Sequence, residues 1–246
     1  MICVGFKSDR GAVRKNNEDS CFVMPKEHVY IVADGVGGNN AGETASSLAV
    51  TTIAEYVKRR PIKKAKTEDD IYYYLNDCVE SANEKIRQYA IEHVEHRGMA
   101  TTLVLCYIRD DKAYFANAGD SRAYLYRNKK LCQITEDHSY VNELLKKGAL
   151  SYEEAVNHEN SNMITKALGA EKSVNADLYQ MKLMENDIIL LCTDGLYGTL
   201  EDKEISEAMD YEPNMLHLSE ILINRANKHK SKDNVTAVCL KVEGGC

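Results

Sequence analysis

Four apolar runs, TTLVLCYI, KAYFANA, RAYLYR and KLCQIT, fill residues 101 to 135 and are joined only by RDD, GDS and NK. Connections this short cannot hold a parallel crossover, which takes a dozen or more residues. The spacing predicts antiparallel neighbours in a meander and disfavours Rossmann and TIM architectures. Further strand-length runs lie at 20–24, 28–33, 177–184, 187–192 and 235–242. Helical period marks 43–57, where Ala45, Leu48, Ala49, Thr52, Ile53 and Tyr56 recur at steps of three and four. It also marks 68–96, with Ile71, Leu75, Cys78, Val79, Ala82, Ile86 and Tyr89, opening at Thr67-x-x-Asp70. Shorter helices are predicted at 140–147, 152–158, 202–209 and 214–228. The second of these opens on a Ser151-x-x-Glu154 capping box and the third near Thr199 to Asp202. Strands with long helices inserted between them describe sheets covered by helices, an α+β layered domain.

At 246 residues, with 44% hydrophobic and 28% charged, the chain suits one large domain or two small ones. It contains no linker, low-complexity tract or repeat, so residues 1–246 read as a single domain. The best apolar run, DIILLC at 187–192, is of strand length and far short of the roughly 20 residues of a membrane span. MICVGFKSDRG lacks the basic and apolar regions of a secretion signal, and the expectation is a cytoplasmic protein without a membrane anchor. A net charge of −7 argues against a nucleic-acid partner. The basic run KRRPIKK, Lys58 to Lys64, reads as a solvated loop between helices or else as a docking patch for an acidic partner. Eight cysteines form no CxxC and no Cys/His cluster, so they read as reduced structural thiols.

The acids are distributed more tellingly. Asp34 follows VYIVA, Asp194 follows IILLCT, Asp120 follows YFANAG, Asp233-Asn234 introduces VTAVCL, and Glu18-Asp19 precedes CFVM. Each alone fits a turn. Together they place acidic residues five times where a buried strand meets a turn, and strand ends can converge on one edge of a layered domain. Clustered carboxylates repel and need protons or cations. An oxygen-only set favours Mg2+ or Mn2+ over zinc, and two such ions suit phosphoryl hydrolysis. Gly35 in DGVGG could offer its carbonyl to a metal, and Arg14, four residues before the first acids, could clamp a phosphate.

The blocks SDRGAVRKNNEDS (8–20), VADGVGG (32–38), GMATT (98–102), NAGDSRAYL (117–125), ITEDHSYV (134–141), TKALG (165–169), CTDGLYGTL (192–200) and KDNVTAV (232–238) follow one another along the whole chain. In that order the sequence resembles the metal-dependent protein serine/threonine phosphatases of type 2C (the PPM family), in their compact bacterial form. The resemblance implies an α-β-β-α sandwich of two antiparallel sheets flanked by helices, with a metal centre at one end. It implies that Asp34 bridges two Mn2+ or Mg2+ ions, with the Gly35 carbonyl, Asp194 and Asp233 as further direct ligands. Asp19 and Glu18 match positions that reach the metals through water. Asp120 matches an acid that, with Asp194, holds a weaker third ion, and Arg14 matches the phosphate-binding arginine. Residues from about 140 to 163, with Gly148 as a hinge, correspond to a flap subdomain beside the site; a plain two-helix excursion is the alternative.

One departure is Val36. Some relatives carry a histidine there, proposed as general acid for the leaving alcohol. His138 reads as structural, and His93 and His96 as exposed helix residues. The expected reaction is hydrolysis of phosphoserine and phosphothreonine by a hydroxide bridging the two ions, with no covalent intermediate. The partners implied are phosphorylated proteins and a cognate bacterial Ser/Thr kinase. Competing readings are a non-catalytic phosphoprotein-binding module and a phosphatase for a small phosphorylated metabolite.

Overall fold

The computed structural model describes residues 1–37, 41–156, 158–160 and 162–244. Gly38 of the DGVGG turn, Asn157 of the expected 152–158 helix and the last two residues of the terminal GGC lie outside the described residues. In chain order the elements are β1 (Ile2–Asp9), β2 (Asp19–Met24), β3 (Val29–Val36), α1 (Ala41–Arg59), α2 (Glu68–Glu92), β4 (Ala100–Thr101), β5 (Leu103–Arg109), β6 (Lys112–Ala118), β7 (Arg122–Arg127) and β8 (Lys130–Gln133). There follow α3 (Tyr140–Lys146), α4 (Tyr152–Val156), β9 (Asp177–Lys182), β10 (Ile188–Cys192), α5 (Asp194–Tyr197), α6 (Asp202–Tyr211), α7 (Met215–Lys228) and β11 (Val235–Val242).

One sheet runs β1-β11-β10-β7-β8 and the other β2-β3-β5-β6-β9, with β4 beside β3. Every pairing is antiparallel. Helices α1 and α2 cover the second sheet through Ile53, Ile71, Leu75 and Ile86, while α6 and α7 cover the first through Ile205, Leu218 and Leu222. A third core lies between the sheets, and the α-β-β-α sandwich is as expected. The alternation along β5 explains its unbroken apolar sequence. Leu103, Leu105 and Tyr107 face the helices while Val104, Cys106 and Ile108 face the other sheet, so both faces are buried.

Three expectations need correction. The 101–135 stretch is not one meander. β6 pairs with β5 and β9, whereas β7 pairs with β10 and β8, so GDS at 119–121 carries the chain from one sheet to the other. A three-residue link suffices because the two sheets pack face to face there, with Phe115 of β6 and Ala123 of β7 in the one core between them. Gly119, at φ 111°, makes the corner where a Cβ would stand 2.6 Å from the Thr102 side chain. The second helix ends at Glu92, not 96: His93 turns extended, and a 3-10 turn follows at Val94–His96. His93 and His96 are then not exposed helix residues but half-buried, with ring centroids 4.1 and 5.2 Å from that of Tyr89.

The N-terminal strand β1 and the short helix α5 were not anticipated. β1 is a sheet edge whose Gly5 lies so close to α7 that a Cβ would stand 2.1 Å from the Met215 carbonyl oxygen. The capping boxes at Thr67/Asp70 and Ser151/Glu154 form as read. That of α6 is instead Glu201 with Glu204. KRRPIKK spans the end of α1 and a 3-10 turn at Ile62–Lys64, with Arg59 paired to Glu55 and Arg60 lying over the Tyr56 ring.

Candidate active site

The sandwich brings the strand ends together by topology. β2 and β3 form a hairpin whose register sets Asp19 opposite Asp34. Asp34 is therefore inside a strand rather than after one, and Asp19 opens its strand. From the other sheet, β10 delivers Thr193 and Asp194 at the start of α5, and β11 begins just after Asp233 and Asn234. The intersheet turn supplies Asp120.

A cleft of about 440 Å3 opens between these ends, lined by Arg14, Glu18, Asp34, Gly35, Asp120, Asp194 and Asp233. Asp19 lies immediately behind it, 7% exposed. All eight residues singled out in the sequence thus gather at one end of the molecule. The cleft also takes in Val36, Gly37, Thr102, Asn162, Ile164 and Asn234.

Asp34, Asp19, Glu18 and Asp120 are held by their backbones or by neutral groups. The Thr102 hydroxyl accepts from the Asp34 N–H at 2.9 Å, and the Asp34 carbonyl accepts from the Thr101 hydroxyl and the Thr102 N–H, both at 2.8 Å. Asp19 Oδ2 accepts from Thr193 and Thr236 hydroxyls at 2.8 and 2.7 Å. The Asn234 side chain accepts from Glu18 N–H and donates to the carbonyls of Arg10 and Asn16, tying the N-terminal loop to β11. Tyr197 donates its hydroxyl to the Asp120 carbonyl at 2.9 Å. His138 Nδ1 accepts from Gly119 N–H at 3.0 Å while its Nε2 faces Asp177 at 3.3 Å, so this histidine braces the turn that carries Asp120. Gly35 is obligatory where it stands, since a Cβ would lie 2.1 Å from the Gly42 carbonyl oxygen.

The electrostatics are those of crowded carboxylates. Burial, then Asp19, Asp194, Asp120 and Asp233, raises the Asp34 carboxyl well above the usual range. Burial also pushes Asp19 up to about 7, against the pull of its two threonine hydroxyls. Asp120 is pushed up to about 7 by burial and by Asp194, and Asp194 is raised by burial and by Asp233. Arg14 is the cation in the cleft lining, with Nη2 2.5 Å from Asp233 Oδ2 and Nε donating to the Lys232 carbonyl at 3.2 Å.

The donor set fits a hard divalent cation. Asp19 Oδ1 and Asp194 Oδ1 are buried without a hydrogen-bond partner, and the acids around them, Glu18, Asp34, Asp120 and Asp233, offer oxygen ligands. The side chains are not drawn in as a finished ligand set: among the described residues no three His, Cys, Asp or Glu stand close enough to form one. Sequence reasoning missed Thr102, Thr193, Thr236, Asn162 and Ile164. Thr193 and Thr236 stood beside the acids in CTDG and DNVT, but a threonine in a β run reads as an ordinary strand residue.

The sequence matches the protein phosphatase 2C family over residues 11–235. It is 35% identical over 239 residues to the serine/threonine phosphatase Stp of Listeria innocua, covering 96% of this chain and 94% of that one. The Mycobacterium tuberculosis serine/threonine phosphatase PstP/Ppp has the same fold, with a TM-score of 0.90 and 32% identity over 99% of both chains. The catalytic domain of the phosphatase PstP in complex with two manganese ions matches with a TM-score of 0.86 and 32% identity, again over 99% of each chain. The chain belongs to the protein phosphatase 2C family of metal-dependent serine/threonine phosphatases. Among the described residues no helix is long and apolar enough to cross a membrane.

Proposed function

We propose that this chain removes phosphate from phosphoserine and phosphothreonine in protein substrates, through a cleft in which Asp34, the Gly35 carbonyl, Asp194 and Asp233 hold two Mn2+ or Mg2+ ions. Asp19 and Glu18 act through water, and Asp120 with Asp194 takes a weaker third ion. The observation that carries this reading is the gathering of crowded acids, two with buried oxygens lacking any partner, beside one guanidinium.

When bound, the ions supply positive charge for the phosphoryl oxygens and acidify water to a nucleophile. Arg14 contributes two or more N–H donors to the phosphate, releasing Asp233 as it does so. No cysteine or serine nucleophile lines the described cleft, which accords with direct attack on phosphorus. Val36, beyond the Asp34-Gly35 pair, has no proton to give, so the departing alkoxide takes its proton from water or from another residue of the cleft. Threonines 101 and 102 fix the Asp34 backbone, so that little reorganisation accompanies the reaction.

Residues 140–163 form the flap subdomain of an otherwise single domain. α3 buries none of its side chains, Gly148 has φ 66° with open space about it, and Asn162 reaches the cleft wall. The enzyme works in the cytoplasm and opposes a bacterial Ser/Thr kinase. Rates on a phosphothreonine peptide and on sugar phosphates test the substrate class. A kcat/KM larger by orders of magnitude on the peptide is expected; preference for the sugar phosphates would make this a metabolite phosphatase.

A further inference from the structure

The site contains a chain of hydroxyls that the reaction as described does not use. Asn17 Nδ2 donates to Ser8 Oγ at 2.8 Å, Ser8 Oγ and Thr236 Oγ1 are 2.7 Å apart, and Thr236 Oγ1 is 2.7 Å from Asp19 Oδ2. From the other side, Thr193 Oγ1 accepts from Thr236 N–H at 3.0 Å and meets the same Asp19 Oδ2 at 2.8 Å. An ionised carboxylate only accepts, and each hydroxyl has one proton. Both threonine protons must therefore point at Oδ2, and Ser8 in turn must donate to Thr236. The polarity of the whole chain is fixed, from Asn17 to Asp19.

The geometry is as one-sided as the polarity. Oδ2 takes two donors, while Oδ1 of the same group is buried with none. Thr193 and Thr236 are fully buried and belong to β10–α5 and β11, whereas Asp19 is on β2 of the other sheet. Two hydroxyls from one sheet thus grip one oxygen of an acid from the other, 174 and 217 residues away in sequence.

We propose that Thr193 and Thr236 are positioning residues for Asp19, fixing its carboxylate by Oδ2 so that Oδ1 is kept free for the metal centre. This rests on the metal reading above. The clamp fixes the rotation of the carboxylate and favours its charged form against the burial that opposes it, without placing a cation beside it, since a lysine or arginine there would compete with the metals. Neutral hydroxyls stabilise the anion and leave its charge to the site.

The test is Mn2+ binding measured by calorimetry on the metal-free full chain, with its urea midpoint recorded alongside. Thr236→Val keeps the shape and removes the donor without orphaning a backbone group. It is expected to weaken Mn2+ binding about tenfold, the size of one hydrogen bond to a charged group, and Thr236→Ser is expected to restore it. In an Asp19→Asn background the further change Thr236→Val should leave Mn2+ affinity unaltered. An equal loss of affinity in that background, no loss at all, or no rescue by serine would overturn the clamp. Asp194→Ala serves as the separate control: wild-type Mn2+ affinity in that variant would overturn the metal reading itself.

Discussion

Asp19 on β2 and Asp34 on β3 stand directly opposite each other in an antiparallel ladder at the cleft. Like charges in that relation destabilise a sheet. Both are flanked by Asp194 and Asp233, so the fold concentrates negative charge where its two sheets meet. A structure that stores repulsion there is specified for a cation.

This repulsion has a pH signature. In an unfolded chain aspartate ionises near pH 4. In the fold Asp19 and Asp120 hold their protons up to about 7, through burial first and neighbouring carboxylates second. Between those values the folded state binds more protons than the unfolded one, so what these two groups contribute to stability falls as pH rises from about 4 to about 7. Urea unfolding in EDTA at pH 5 and pH 8 is expected to show the loss, with Mn2+ reversing it at pH 8 and Asp19→Asn shrinking it. Greater metal-free stability at pH 8 than at pH 5 would count against the crowding.

Arg14 is 49% exposed and its ion pair with Asp233 crosses open solvent on one side, so it adds little to stability. Its value is expected in substrate binding. Arg14→Ala should leave the urea midpoint nearly unchanged and lower kcat/KM about 10- to 100-fold, mostly through KM, the worth of one or two charge-assisted hydrogen bonds. Steady-state kinetics on a phosphopeptide decides it.

Arg122 makes a bidentate pair with Asp137 and lies 3.5 Å above the Tyr197 ring, whose hydroxyl holds Asp120. Both charges are mostly buried, with side chains 22% and 15% exposed. Asp137→Ala leaves the guanidinium without its counter-ion, and a loss of about 2–3 kcal/mol is expected in urea unfolding. Asp137→Glu should recover part of it.

Gly35→Ala places a Cβ against the carbonyl oxygens of Gly42 and Glu18, at 2.1 and 2.6 Å. Backbone on both sides must move, which would separate Glu18 and the N-terminus of α1 from the cleft. Turnover is expected to fall at least tenfold, with weaker Mn2+ binding measured by calorimetry. Gly148→Ala, at a position open to solvent, should leave Mn2+ binding as it is.

Much of this was legible in the sequence because the acids adjoin strongly apolar runs. Asp34 and Asp194 follow runs buried on both faces, and such runs are hard to mistake. What escaped depended on contacts between distant segments. The GDS link looked like a hairpin because its length fits one; only the pairing partners β9 and β10, more than 50 residues further on, draw β6 and β7 into different sheets. β1 escaped because an edge strand with Phe6 44% exposed and Gly5 under α7 shows no clean alternation. The threonine clamp on Asp19 was invisible for the same reason, since its donors come from residues 193 and 236.

The most direct measurement is hydrolysis of an aryl phosphate with Mn2+, Mg2+, Ca2+ or EDTA, for the native chain and for Asp194→Ala. Turnover that needs Mn2+ or Mg2+, disappears in EDTA and is absent in the folded variant is the expected result. Full activity in Asp194→Ala, or a folded, metal-bound native chain that hydrolyses nothing, would contradict the account.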